Sequence, residues 1–220
     1  MTTAERAIDL DGHPGLLVRP RGARALYVLA HGAGAGMRHS FMAAISTALA
    51  GRGIATLRWE FPYMAKGSAR PDRAEVAEAS ARAVWNASKR VARGLPRFAG
   101  GKSFGGRMTS RAHAAAPLAG LCGLIFLGFP LHPAEKPGIE RAEHLAAATG
   151  SMLFLQGTRD DLAELSLLQP VVASLGRRAT LHLIDRADHG FERSGRKLPD
   201  VLDELARTIA AWIDANLDTA

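Results

Sequence analysis

A single cysteine, Cys122, stands among 220 residues, so no disulfide can form within the chain. It lies in the apolar run Leu121 to Leu127, where a thiol reads as a small buried hydrophobe. No stretch of 18 apolar residues occurs, which argues against a membrane-spanning helix. Aromatic residues make up only 6%, and no basic run interleaves with them as a single-strand binder would need; nucleic-acid binding is not expected. Blocks of like charge are also missing. The net charge of +7 comes far more from arginine than from lysine and is scattered. It reads as solubility, with a modest bias toward anionic ligands or surfaces. Met1 to Arg6 shows no basic segment followed by an apolar one, so no secretory signal is expected, and a reducing cytoplasm suits the lone thiol.

What is present points to one α/β unit. Hydrophobic content of 47% is ordinary for a soluble globule, and the length suits a single domain over residues 1–220. No repeat, low-complexity tract or linker interrupts it. Leu16 to Val18 predicts a short edge strand, and Ala25 to Ala30 a buried strand that empties into His31-Gly32-Ala33-Gly34-Ala35-Gly36. Phe41 to Ala50 repeats apolar residues at helical spacing and stops at Gly51-Arg52-Gly53. Ile54 to Phe61 predicts a strand, followed by a polar loop through Pro71. Asp72 then reads as the N-cap of a long Ala-rich helix reaching Arg93. Further strands are expected at Arg97 to Gly100, Leu121 to Leu127, Met152 to Leu155 and Thr180 to Ile184. Helices are expected at Arg107 to Ala116, at Glu140 to Ala148, at Leu162 to Leu175 with an interruption at Pro170, and from Pro199 to Leu217. This alternation predicts a mostly parallel sheet covered by helices on both faces.

The chain is organised around Ala99-Gly100-Gly101-Lys102-Ser103-Phe104-Gly105-Gly106, which lies between a strand and a helix. Gly101, Ser103 and Gly105 fit G-x-S-x-G, a serine held at a sharp strand-to-helix turn. Residues two before and two after must lack bulk, because strand and helix pass almost in contact. The helix start then directs its N–H groups and positive dipole end at the serine. Gly-Lys-Ser also closes a phosphate-binding loop, but that loop needs a glycine where this chain has Pro96, so the reading fails.

A reactive serine needs a base and an orienting acid, and elbows of this kind take them in the order serine, acid, histidine. Each belongs in a loop at the carboxyl end of a strand. Ser103, Asp160 and His189 stand in that order, each after a predicted strand. Asp161 is the better cap for a helix from Leu162, which leaves Asp160 as the acid; Asp185 is the fallback, and Asp188 adjoins His189 too closely to reach its Nδ1. In the expected mechanism His189 takes the proton of Ser103 as it attacks a carbonyl, and Asp160 fixes the imidazole tautomer. Two N–H groups must meet the resulting oxyanion. Phe104, the residue after the nucleophile, offers one, and Ala33 in the glycine-rich loop offers the other. His31 is expected to tie that loop down rather than carry protons. Neither a cofactor nor a metal is expected.

The segments HGAGAGM at His31 to Met37, WEFPYM at Trp59 to Met64 and GGKSFGGR at Gly100 to Arg107 resemble the α/β-hydrolase superfamily. With GFPLHPAEKP at Gly128 to Pro137, EHL at Glu143 to Leu145 and QGTRD at Gln156 to Asp160, the chain is similar to one branch of it. That branch includes testis-expressed protein thirty and the third regulatory subunit of the NSL chromatin complex. After QGTRD the branch usually continues Pro-Phe-Gly, whereas this chain has Asp161-Leu162-Ala163. Dienelactone hydrolases are similar at a greater distance; their nucleophile is cysteine, where this chain has Ser103. The resemblance implies an α/β-hydrolase fold. The short stretch from Gly128 to Ile139, where this fold often inserts a lid, leaves no room for a large one. An open pocket suits small soluble esters or thioesters, cleaved through an acyl-enzyme. Tyr63 and His132, in loops at strand ends, are expected to touch substrate, and His132 and Lys136 would favour an anionic one. The alternative is a catalytically idle fold used as a protein-interaction module, a role that members of this branch also fill. Oligomeric state is not legible.

Overall fold

The computed structural model describes residues 4–192, 195 and 197–218. Met1 to Thr3 of the segment read for a secretory signal, and both ends of the expected domain span, therefore lie outside the described residues. The elements follow in the order β1 (Glu5–Asp9), β2 (Pro14–Val18), β3 (Ala25–Ala30), α1 (Ser40–Ala50), β4 (Ile54–Trp59), α2 (Pro62–Ala65) and α3 (Ala74–Ala92). The second half holds β5 (Arg97–Lys102), α4 (Phe104–Ala115), β6 (Leu121–Leu127), a 3-10 helix (Glu140–Ala146), β7 (Met152–Gly157), α5 (Leu165–Ser174), β8 (Ala179–Ile184) and α6 (Leu198–Leu217).

The strands form one eight-stranded sheet in the order β1-β2-β4-β3-β5-β6-β7-β8. Strands β3 to β8 pair in parallel, and only β1 and β2 run against their neighbours. Alternate residues of each parallel strand therefore feed two apolar layers. Tyr27, Leu29, Ile125, Leu127, Leu153 and Leu155 pack with α1 and α6. Leu26, Val28, Ala99, Leu124, Phe126 and Phe154 pack on the other face with α3, α4 and α5. This is the α/β-hydrolase fold, with no lid between β6 and the 3-10 helix.

Several elements depart from expectation. The strand at Leu16 to Val18 is not an edge: β1 pairs outside it, Glu5 opposite Val18. The sequence of β1, ERAID, is largely exposed, so it carries no apolar run to announce it. Asp72 does not cap α3. Its carboxylate accepts from the Tyr63 N–H (3.0 Å) instead, and Arg73 occupies the cap position without a side-chain bond. Helix α5 starts at Leu165 and continues through Pro170, which lies on its exposed side where water can solvate the carbonyl the proline leaves unbonded. Glu140 onward coils as a 3-10 helix rather than an α-helix. Cys122 is half-buried, at the margin of the α6 layer.

Candidate functional site

Strand β5 runs through Gly100 and Gly101, at φ 141° and 155°, to Lys102 and delivers Ser103 into a conformation with φ 49° and ψ −116°. A non-glycine residue holds such a backbone only where its surroundings enforce it. They do so here by contact. A Cβ on Gly101 would stand 2.2 Å from the Ala30 carbonyl oxygen, and one on Gly105 2.5 Å from that of His31. The Ser103 N–H is fixed to the Leu127 carbonyl (3.1 Å), so β6 holds the turn from the other side. Phe104 opens α4, and its N–H therefore has no partner within the helix.

The loop after β7 presents Asp160, and the loop after β8 presents His189. Asp160 is buried. Its Oδ1 accepts from the Leu162 N–H (2.9 Å), and its Oδ2 from the Gln156 amide (2.5 Å). A carboxylate has no proton to give, so the imidazole donates: His189 Nδ1–H to Asp160 Oδ2, 2.7 Å. The other ring nitrogen, Nε2, is left to accept from the Ser103 hydroxyl, 2.8 Å away. The two loops are laced together. Thr158 N–H donates to Ile184, Arg159 N–H to Ala187, and Arg186 N–H to the Thr158 hydroxyl. Asp188 shapes the histidine loop, its carboxylate accepting from the Glu192 N–H (2.9 Å). Asp185 is exposed and contacts Arg186.

The glycine-rich loop lies against this group; a Cβ on Gly32 would sit 3.8 Å from that of Ser103. Among the described residues the Ala33 N–H has no acceptor, whereas Gly34 N–H donates to the Tyr63 hydroxyl (3.1 Å). His31 is buried under the loop and uses both nitrogens. Its Nδ1 donates to the Gly32 carbonyl (2.8 Å) and its Nε2 accepts from Phe61 N–H (3.1 Å). Burial lowers its pKa, in keeping with a neutral ring that has no proton to exchange.

Ser103 and His189 open onto a cleft of about 320 Å³, also lined by Ala33, Phe41, Met42, Lys102 and Leu162. Its walls are mostly apolar. Tyr63 and His132 do not line it, contrary to expectation. Tyr63 is buried behind the glycine-rich loop, its ring against His31 and Phe104, and burial raises its pKa. His132 is buried as well, Nδ1 donating to the Pro133 carbonyl (2.8 Å) and Nε2 meeting Glu164, the residue that precedes α5. Lys136 is also absent from the cleft. The loop turns His132 inward, where its ring is hydrogen-bonded, while Glu135 and Lys136 face solvent away from the cleft. Gln156 and Lys102 went unassigned in the sequence. An amide inside an otherwise apolar strand, four residues before Asp160, is the signal that marks Gln156.

Residues 23–214 match the model of a family described as an alpha/beta hydrolase domain. Among solved structures, a dienelactone hydrolase from Anabaena variabilis superposes with a TM-score of 0.78 at 20% identity, covering 98% of this chain and 99% of that one. TT1662 from Thermus thermophilus gives 0.76 at 21% identity, with 99% of each chain covered. XC6422 from Xanthomonas campestris, described as an a/b serine hydrolase without lid, gives 0.71 at 21% identity and 96% of each. At such identities the likeness is one of fold. Among the described residues no helix is long and apolar enough to cross a membrane, and no cluster of three His, Cys, Asp or Glu could hold a metal ion.

Proposed function

Since this chain belongs to the alpha/beta hydrolase family, we propose that it is a serine hydrolase cleaving carboxylic ester or thioester bonds of a small soluble substrate. The observation that carries the reading is the unbroken relay from Ser103 Oγ to His189 Nε2 (2.8 Å) and from His189 Nδ1 to Asp160 (2.7 Å) at the floor of a cleft. As Ser103 attacks the substrate carbonyl, His189 removes its proton, and Asp160 steadies the imidazolium. The N–H groups of Ala33 and Phe104 receive the oxyanion; losing one such donor typically costs about 3–4 kcal/mol of transition-state stabilisation. The tetrahedral adduct collapses to an acyl-Ser103, and the leaving alkoxide or thiolate takes the proton from His189. Water, deprotonated by the same imidazole, then releases the acid.

The mostly apolar cleft and the missing lid favour short, soluble acyl substrates over lipid interfaces. The motifs FPYM and PLHP, here Phe61 to Met64 and Pro130 to Pro133, support placement in the branch of testis-expressed protein thirty. The lone thiol supports a cytoplasmic setting, and the scattered charge with few aromatics supports a small-molecule substrate rather than nucleic acid. Fluorophosphonate labelling tests the reading. Labelling is expected in the wild-type protein and lost in Ser103→Ala. Wild-type protein that takes up no probe and hydrolyses no p-nitrophenyl ester of any chain length would instead mark an idle fold serving as an interaction module.

A further inference from the structure

Lys102 immediately precedes the proposed nucleophile, yet its side chain reaches away from it, across the end of β6. Its Nζ donates to the backbone carbonyl of His189 at 2.5 Å. The path exists because residue 128 is glycine: a Cβ there would stand 3.1 Å from Lys102 Nζ and 3.5 Å from His189 Cε1. The ammonium also lies 5.2 Å from the centre of the Phe191 ring, a cation–π contact with the same loop. We propose that Lys102 is a positioning residue: two consecutive residues, the last of β5 and the cap of α4, grip His189 at two points, Ser103 at the ring and Lys102 at the backbone. The histidine loop follows the edge strand β8, three places from β5 in the sheet, so no ladder hydrogen bond joins the two. The lysine supplies that missing connection, and with it the register between hydroxyl and imidazole.

The arrangement also has an electrical side. Asp160, Asp188 and His189 are the titratable groups facing the ammonium, with His39 lining the same cleft. Enclosure outweighs the attraction of Asp160 and Asp188 and brings the lysine down to about 8.

The proposal rests on the serine-hydrolase reading, and the test separates the two. Lys102→Met and Lys102→Arg are compared with wild type on a neutral p-nitrophenyl ester over pH 5–9. Lys102→Met is expected to lower kcat about tenfold or more with KM changed less than twofold. Lys102→Arg should restore kcat. Wild-type kcat in Lys102→Met overturns the tether. So does a loss confined to KM, which would put the amine on the substrate. A wild-type protein that neither labels nor turns over sinks the hydrolase reading instead. Should Lys102→Met not fold, 15N NMR of the wild-type lysine ammonium groups decides. A slowly exchanging Nζ signal with contacts to the Phe191 ring supports the tether; a fast-exchanging one titrating near 10.5 overturns it.

Discussion

Asp160 serves three donors at once, and this explains how one carboxylate can orient both a ring and a loop. The Leu162 N–H and the Gln156 amide occupy it on two sides, so the His189 ring has one direction left in which to donate. Asp160→Asn removes the charge and allows the amide to present a donor to Nδ1, which turns the imidazole to the wrong tautomer. The expected result is a fall in kcat of about 10³–10⁴-fold with KM within a few-fold, read from ester hydrolysis. Tyr63 acts one layer further out. Its hydroxyl is the acceptor of Gly34 N–H in the loop that carries Ala33. Tyr63→Phe removes that bond at a loop residue water can reach, a loss of about 0.5–1.5 kcal/mol. If the loop shifts in the transition state as well, kcat should fall roughly five- to tenfold with KM unchanged; substrate contact would raise KM instead.

At the scale of the element, the turn between β5 and α4 is held by backbone proximity rather than by side-chain bonds. The β3 strand and its following residue pass so close to α4 that a Cβ on Gly105 would lie 2.5 Å from the His31 oxygen and 2.7 Å from the Ala30 carbonyl carbon. Neither neighbour is the free end of a flexible chain. Gly105→Ala should therefore destabilise by about 3 kcal/mol or more, seen as a lower urea midpoint or as insoluble protein. The motif made these glycines legible. Less legible were elements fixed by distant partners: Asp72 abandons α3 for the Tyr63 N–H, and Asp160, not Asp161, takes the Leu162 N–H. Capping preferences describe which side chains can serve a helix start, and tertiary neighbours decide which one is drawn elsewhere.

For the molecule as a whole, pH dependence of stability follows from histidines buried as neutral rings. His144, on the 3-10 helix, pairs with the Ser110 hydroxyl (2.7 Å) against α4. Burial, with Arg111 and Arg107 nearby, pushes it down to about 4 from an ordinary 6.5. The unfolded chain therefore binds a proton that the folded one refuses across that interval. Stability contributed by the neutral ring is complete above pH 6.5 and is lost as pH falls toward 4. The shift corresponds to at most about 3 kcal/mol, and to about 1–2 kcal/mol once solvent screening of the partly exposed ring is allowed for. Urea unfolding at pH 7 and pH 5 should show a loss in the wild type that His144→Gln reduces. An equal loss in both proteins would assign acid sensitivity to other groups, His31 among them.

The sequence by itself determined the alternation of strands and helices, the mostly parallel sheet, the turn at Ser103 and the order of Ser103, Asp160 and His189. Each of these follows from short-range patterns: apolar runs of strand length, glycines flanking a serine, polar residues just past a strand. Only the tertiary structure decided that Tyr63 and His132 face inward, that β1 covers β2, that Gln156 and Lys102 join the site, and where His189 points. Those outcomes depend on which buried donor meets which acceptor across the sheet. A chain read in order carries no measure of that distance.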